Sequence, residues 1–470
     1  MTAADACPPT PRAAHSSSRA LHTLQGADAP AAPGLAAHPT SAGDSAAYER
    51  RPASLDDVVI VSACRTPLCK AKRGGLRDTP ADDLVAVVLK ETLRRTGVEP
   101  EAVGDVVLGS VLGPSSQRAN ECRMAMFYAG FPNTVPVHTL NRQCSSGLQA
   151  IASVAAAIRA GFYTVGIAGG VESMSSNPMA WEGGINPRVA SCPAAQDCLL
   201  PMGLTSENVA AQFGLTRDDQ DAFAARSHAR AAAAQAAGRF REEIVAVDTV
   251  QKDPKTGEER RVVVDQDDGI RAGTTAASLG QLRAAFKKGG TTTAGNSSQV
   301  TDGAAAVLMM TRREALRRGL PVLLIFRSFS AVGVPPAVMG VGPAVAIPAA
   351  VKAAGLELAD IDVFEINEAF ASQAKYSMDH LGLDAERVNP NGGAIALGHP
   401  LGATGARQTA TLAYELRRRG PAARFGVVSM CIGSGMGAAA VFERGSEVDG
   451  YANARAAPGL NTGLSRDARV

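Results

Sequence analysis

The chain has 470 residues, 46% of them apolar and 20% charged, a globular composition long enough for two or three domains around a sizeable core. A formal charge of +2 with no long basic run excludes the electrostatic footprint of a nucleic-acid binder and leaves an anionic small molecule open. No stretch approaches the roughly 18 uninterrupted apolar residues that span a bilayer, and the eight cysteines form no CxxC pair or ligand-like Cys/His spacing, which argues against a zinc site or a secreted disulfide framework.

Residues 1–54 are rich in Ala, Pro and Ser with little apolar periodicity, and are expected to be a targeting or disordered segment. Residues 446–470 are expected to be a disordered tail. Between them, Val58-Val-Ile-Val61 predicts a buried strand, the spacing over residues 81–96 predicts a helix stopping at Gly97, and residues 105–111 predict a second strand. The polar run Asn141-Arg-Gln-Cys-Ser-Ser-Gly147 leads into a helix-like stretch over residues 148–160, followed by an apolar strand and glycine-rich turn over residues 163–170. Residues 171–295 break this pattern with loops and a charged, Ala-rich helix over residues 217–238, and are assigned to an inserted subdomain of the kind that covers ligands. A strand over residues 363–366 then ends in Asn367-Glu-Ala-Phe370. Gly398-His-Pro-Leu-Gly-Ala-Thr-Gly405 leads into a helix over residues 403–419, and a strand over residues 425–430 ends in Cys431-Ile-Gly-Ser-Gly-Met-Gly437.

These elements repeat. Gly97-Val-Glu-Pro-Glu-Ala-Val-Gly-Asp-Val-Val-Leu aligns, with one gap, to Gly355-Leu-Glu-Leu-Ala-Asp-Ile-Asp-Val-Phe-Glu-Ile, and Cys144-Ser-Ser-Gly147 is offset from His399-Pro-Leu-Gly402 by the same interval at both ends. Two halves, 55–170 and 296–445, therefore share one plan, and strands alternating with helices imply largely parallel sheets. The pseudo-symmetry puts Cys144 and His399 at equivalent helix starts, at one end of the paired sheets. There the free N–H groups and the macrodipole favour anions and lower a thiol's pKa, and imidazole is the usual base for a thiol. Taken singly, Cys144 could be a packing cysteine, His399 a turn cap, and Asn367 a strand-terminating cap. The loop after Cys431 could cradle phosphate, but it lacks the Lys-Ser/Thr ending of a P-loop.

The four motifs together, in this order, resemble the thiolase family. The likeness runs over roughly residues 56–445 and is strongest to its peroxisomal 3-ketoacyl-CoA-cleaving members of plants and algae. The resemblance implies an α/β fold of two βαβαβαββ halves in a five-layer αβαβα arrangement, a loop domain over the active site, and a homodimer. It implies thiolytic cleavage of 3-ketoacyl-CoA by CoA, the last step of fatty acid beta-oxidation, with Cys144 as acylated nucleophile and His399 as its base. Cys431 would be the acid and base acting on the acetyl carbon and on CoA. Asn367 would hold a water, and the Gly433 and Cys144 N–H groups an oxyanion. Arg271, Ser278 and Ser298 match the family's CoA contacts, with CoA and acyl-CoA as substrates and no resident cofactor or metal. The family also places the loop carrying Cys192 and Cys198 near the entrance, which makes a reversible disulfide of either with Cys144 an expectation; inert thiols are the alternative.

The rivals are a biosynthetic acetoacetyl-CoA thiolase, a cysteine thioesterase and a non-catalytic acyl-CoA binder. A ketoacyl synthase is disfavoured because the third position reads as Cys431 rather than His. Peroxisomal localisation, with an import receptor as a partner, is expected by resemblance. The family's N-terminal signal pattern fails at both Arg12 and Arg19, and Ala468-Arg-Val470 only loosely echoes Ser-Lys-Leu. A mitochondrial or plastid destination is the alternative.

Overall fold

Strands apolar at every position suit a sheet covered on both faces, and β1 (Val58–Arg65) is buried along its whole length. It opens the first half in the computed structural model, which describes residues 54–114, 116–179 and 184–445. The segments expected to be targeting sequence and tail, with Arg12, Arg19 and Ala468–Val470, lie outside the described residues apart from Ser54, as does Trp181.

After β1 come α1 (Ala81–Thr96), β2 (Asp105–Gly109), α2 (Ala119–Tyr128), β3 (Val137–Leu140), α3 (Ser146–Arg159) and β4 (Val165–Ser173). Helix α1 stops where expected, at Gly97 in the left-handed region. The insertion supplies α4 (Met202–Phe213), α5 (Arg217–Ala236, started by a Thr216–Asp219 capping box) and the hairpin β5 (Val247–Lys252) and β6 (Glu259–Val264). Strand β7 (Thr301–Thr311) follows, and then β8 (Leu324–Gly333), α6 (Gly342–Ala353), β9 (Val363–Ile366), α7 (Ala371–His380), α8 (Thr404–Arg419), β10 (Phe425–Ile432) and β11 (Met436–Arg444).

The strand order is β9-β10-β11-β8-β1-β7-β4-β2-β3, with the short strand Cys69–Lys70 beside β7. Strands β3-β2-β4-β7-β1 match β9-β10-β11-β8 preceded by Val388, which bridges Phe364 in parallel, so the repeat read in the sequence is a repeat of topology. The two sheets meet at a short seam, Val59 opposite Ile325 and Ile60 opposite Leu324. The expectation of largely parallel sheets needs correction. Only β2–β3, β2–β4 and β9–β10 are parallel; β11 follows β10 through a short turn and β7 returns after the insertion, and both run antiparallel to their neighbours. The division at 296 is also corrected: β7 lies between β1 and β4, so the first half resumes after the insertion and the second opens with β8.

Alternate residues face different layers. Val58 and Ile60 join a central cluster with Leu148 and Ile151 of α3 and Leu412 and Leu416 of α8, while Val59 and Val61 pack outward on α1 and α2. On the far side, Phe364 and Ile366 pack against Ile347 and Val351 of α6 and Met378 of α7. The result is five layers, αβαβα. One stretch, Pro336–Ala353, is long and apolar enough by composition to cross a membrane, contrary to the sequence reading; it covers the second sheet and is mostly buried.

The α3–α8 contact in the middle layer is made by glycines. A Cβ on Gly405 would strike Leu148, and one on Gly147 would meet Gly402 and Ala406. Gly170, expected in a turn, lies inside β4, and a Cβ there would strike the Gly402 carbonyl. Gly170→Ala is expected to lower stability by about 1–3 kcal/mol, read as a lower midpoint in chemical unfolding; an unchanged midpoint would refute the close contact.

Candidate active site

Cys144 does not sit in the first turn of α3. It lies in a short 3-10 turn, Gln143–Ser145, that precedes the helix. Gln143 takes a left-handed φ of 46°, a strained state for a residue with a side chain, and the turn is held by Ser146 Oγ donating to Gln143 O at 2.7 Å and accepting from Arg142 N at 2.9 Å. Gln143 Nε2 donates to Ser434 Oγ at 2.8 Å, and a Cβ on Gly433 would strike Gln143 Oε1. The Cys144 turn of the first half is therefore locked onto the Gly433-Ser434 turn of the second.

The backbone N–H groups of Gly433 and of Cys144 itself favour charge on the Cys144 sulfur. The sequence predicts a lowered thiol pKa; the structure reverses this. Burial pushes Cys144 up to about 11, outweighing those two donors, and the nearby Glu172 carboxylate adds to the rise. Cys431, fully buried near the end of β10, is pushed well above the usual thiol range by burial and then by the charge of Cys144. The two sulfurs share one electrostatic environment.

His399 follows the short helix Ala394–Leu397 and Gly398, whose φ of 114° only glycine takes readily. Its backbone N–H donates to Gln299 O at 3.1 Å and Thr301 Oγ1 at 3.2 Å. Nδ1 lies 2.6 Å from Thr404 Oγ1, and Asn367 Nδ2 lies 3.2 Å from Nε2, an arrangement that leaves Nε2 the acceptor and Nδ1 the protonated nitrogen. Burial holds the ring down at about 3, helped by the Arg407 guanidinium. The resting pair is thus a neutral thiol and a neutral imidazole.

Asn367 is fixed by its N–H to Ser429 O at 2.8 Å. Next to it, buried Glu368 accepts from Ser227 Oγ of α5 at 2.6 Å, Asn389 Nδ2 at 2.8 Å and Ile395 N at 3.2 Å. Glu368 thereby pins the insertion to the strand end that carries Asn367. The Asn367 Oδ1 atom is buried without a protein partner among the described residues, which suits a water ligand.

Of the remaining expected residues, Ser298 is tied to this region by its N–H to Ala369 O at 2.9 Å. Arg271 and Ser278 are exposed on the insertion, and the Ser278 hydroxyl is engaged in capping its own short helix with Thr275. Cys144 and Cys198 are free thiols; the Cys198 sulfur lies 3.8 Å from Ser434 O, at the rim of the Gly433 turn, and Cys192 is the N-cap of the short helix Pro193–Asp197 that leads to Cys198. Sequence reasoning assigned no role to Thr404, Gln143 and Glu368, which stand inside motifs it quoted, and missed Thr301 and Glu172. The signal available for Glu172 was a carboxylate at the end of an otherwise apolar strand.

Two family models match the chain, the thiolase N-terminal domain over residues 58–313 and the thiolase C-terminal domain over residues 320–444. The chain is 65% identical over 437 residues to the peroxisomal 3-ketoacyl-CoA thiolase 2 of Arabidopsis thaliana, spanning 93% of this chain and 94% of that protein. Its fold superposes on the dimeric peroxisomal thiolase of Saccharomyces cerevisiae with a TM-score of 0.76 at 44% identity, covering 84% of this chain and 98% of the yeast chain. A Bacillus anthracis acetyl-CoA acetyltransferase superposes with a TM-score of 0.74 at 40% identity, covering 83% and 99%.

Proposed function

The chain belongs to the thiolase family, and on that premise we propose that it is a peroxisomal enzyme of beta-oxidation, cleaving 3-ketoacyl-CoA with CoA to acetyl-CoA and a shortened acyl-CoA. The observation that carries the reading is the packing of the Cys144 turn against the Gly433-Ser434 turn across the two halves, where Gln143 Nε2 donates to Ser434 Oγ and a Cβ on Gly433 would strike Gln143 Oε1, so that the Gly433 N–H favours charge on the Cys144 sulfur. It joins a nucleophile to an oxyanion donor.

In the proposed reaction the Cys144 sulfur attacks the 3-keto carbon as its proton passes to His399 Nε2. The C2–C3 bond then breaks, and its electron pair becomes the enolate of acetyl-CoA. Cys431 protonates that enolate, while His399 and a water held by Asn367 stabilise it. Cys431, now a thiolate, takes the proton of incoming CoA; the CoA sulfur attacks the acyl-Cys144 thioester, and the oxyanion sits between the N–H groups of Cys144 and Gly433. Collapse releases acyl-CoA, and His399 returns its proton to Cys144. Every proton is accounted for without a metal or redox cofactor.

Arg271, Ser278 and Ser298 are proposed as CoA contacts. A homodimer is proposed on two grounds. The yeast relative is dimeric, and the edge strand β3, paired only to β2 among the described residues, lies beside α2 with its exposed Met124, Phe127 and Tyr128. An import receptor is the partner that peroxisomal delivery requires.

The test compares acetoacetyl-CoA with a longer 3-ketoacyl-CoA as substrates for CoA-dependent cleavage. Turnover of both is expected; turnover of acetoacetyl-CoA alone would favour the biosynthetic rival, and loss of acyl-enzyme without CoA would favour a thioesterase.

A further inference from the structure

Glu172, the next-to-last residue of β4, is a fully buried carboxylate. Its Oε2 accepts from Val111 N at 2.9 Å and Gly402 N at 3.0 Å, and its Oε1 from Leu112 N at 3.1 Å and Ser110 Oγ at 3.3 Å. All four partners act as donors, since Ser110 Oγ itself accepts from Arg118 Nε at 3.0 Å, so the geometry fits an ionised carboxylate with no proton to place. Arg118 is buried and fully engaged, its other nitrogens donating to Glu121 and Asn177 at 2.6 Å. Gly402 ends the His399-Pro-Leu-Gly turn, and a Cβ on it would strike Gly109 O and Val171 O. The turn of the second half is therefore wedged against the first half and held there through one carboxylate.

We propose that Glu172 is a positioning residue for the reaction: it clamps the His399–Gly402 turn onto the 110–112 loop and so sets where the base stands relative to Cys144. The proposal rests on the reading of His399 as base and Cys144 as nucleophile. Backbone N–H groups are the right handle for such a clamp, because they leave the imidazole free to work. Burial pushes the Glu172 carboxyl above its usual range, and the backbone donors and the Arg118 guanidinium at the start of α2 oppose that rise; the carboxylate in turn opposes ionisation of Cys144, before α3. Because Glu172 opposes the Cys144 thiolate, the carboxylate also has an electrostatic signature separate from its structural one.

Glu172→Gln in the full chain puts an amide donor among four donors and removes the charge. The expected result is a fall in kcat of about 10²-fold with KM values within about twofold of the wild type. Alkylation of the Cys144 peptide by iodoacetamide, followed by mass spectrometry, is expected to begin at lower pH, since the opposing charge is gone. Glu172→Asp keeps the charge and shortens the reach; it should lose kcat while keeping the wild-type alkylation profile. Wild-type kcat in either variant, or an alkylation profile unmoved in Glu172→Gln, overturns the proposal. If Glu172→Gln does not fold, the kcat and KM of Glu172→Asp decide alone. Wild-type activity after loss of His399 itself would instead overturn the reading of the base, and that separates the two failures.

Discussion

Replacing Cys144 with alanine is expected to lower CoA-dependent cleavage of 3-ketoacyl-CoA by about 10⁴-fold or more, with the fold unchanged. The substitution removes one sulfur from a turn whose backbone is held by Ser146 and whose neighbour Gln143 reaches Ser434; none of those bonds uses the thiol. The check is substrate loss with added CoA, together with the mass of the protein after exposure to 3-ketoacyl-CoA without CoA. Wild type should gain an acyl group and the variant should not. An acyl adduct on the variant would move the nucleophile elsewhere, with Cys431 the first place to look, since its thiol feels the charge of Cys144.

His399→Gln should lower kcat by about 10²- to 10⁴-fold and change the shape of the pH profile. In the wild type the ring is held down at about 3 and the thiol up at about 11, so between those limits both groups keep one protonation state and the rate should be flat across neutral pH. Without the imidazole the thiol has no base, and the variant's residual rate should climb with pH as thiolate forms. The same depression has a stability consequence. A ring whose folded pKa lies below its usual 6.5 contributes stability that is complete above 6.5 and is lost as pH falls through the folded value near 3. The variant should lose that part of the acid sensitivity in unfolding experiments. A flat profile in His399→Gln would mean that another group takes the Cys144 proton.

Much of this arrangement could be read from the sequence, and the failures have physical reasons. The repeat and the motif order placed Cys144, His399, Asn367 and Cys431 at corresponding strand and helix ends, because the chain reverses at glycines and polar caps that are local features. Residues 301–311 fell in the wrong half because position along the chain says nothing about sheet neighbours; the partners of β7, β1 and β4, are remote in sequence. The direction of the Cys144 shift was wrong for a related reason. A helix start is visible in the sequence, whereas the burial that outweighs it is not. Glu172 was overlooked because its role depends on donors from the 110–112 loop and from Gly402, which no local pattern brings together.

The late return of β7 has a consequence for how the protein is made. On the ribosome, β1 and β4 emerge long before the strand that joins them, and the whole insertion must follow first. Until Thr301–Thr311 leaves the exit tunnel, the first sheet carries two open edges and uncovered apolar faces. Open strand edges of this kind favour mispairing in the nascent chain through this interval. A fragment cut before Thr301 should not be a folded half, whereas the second half, whose strands and helices follow one another without a long detour, is complete almost as soon as it is synthesised.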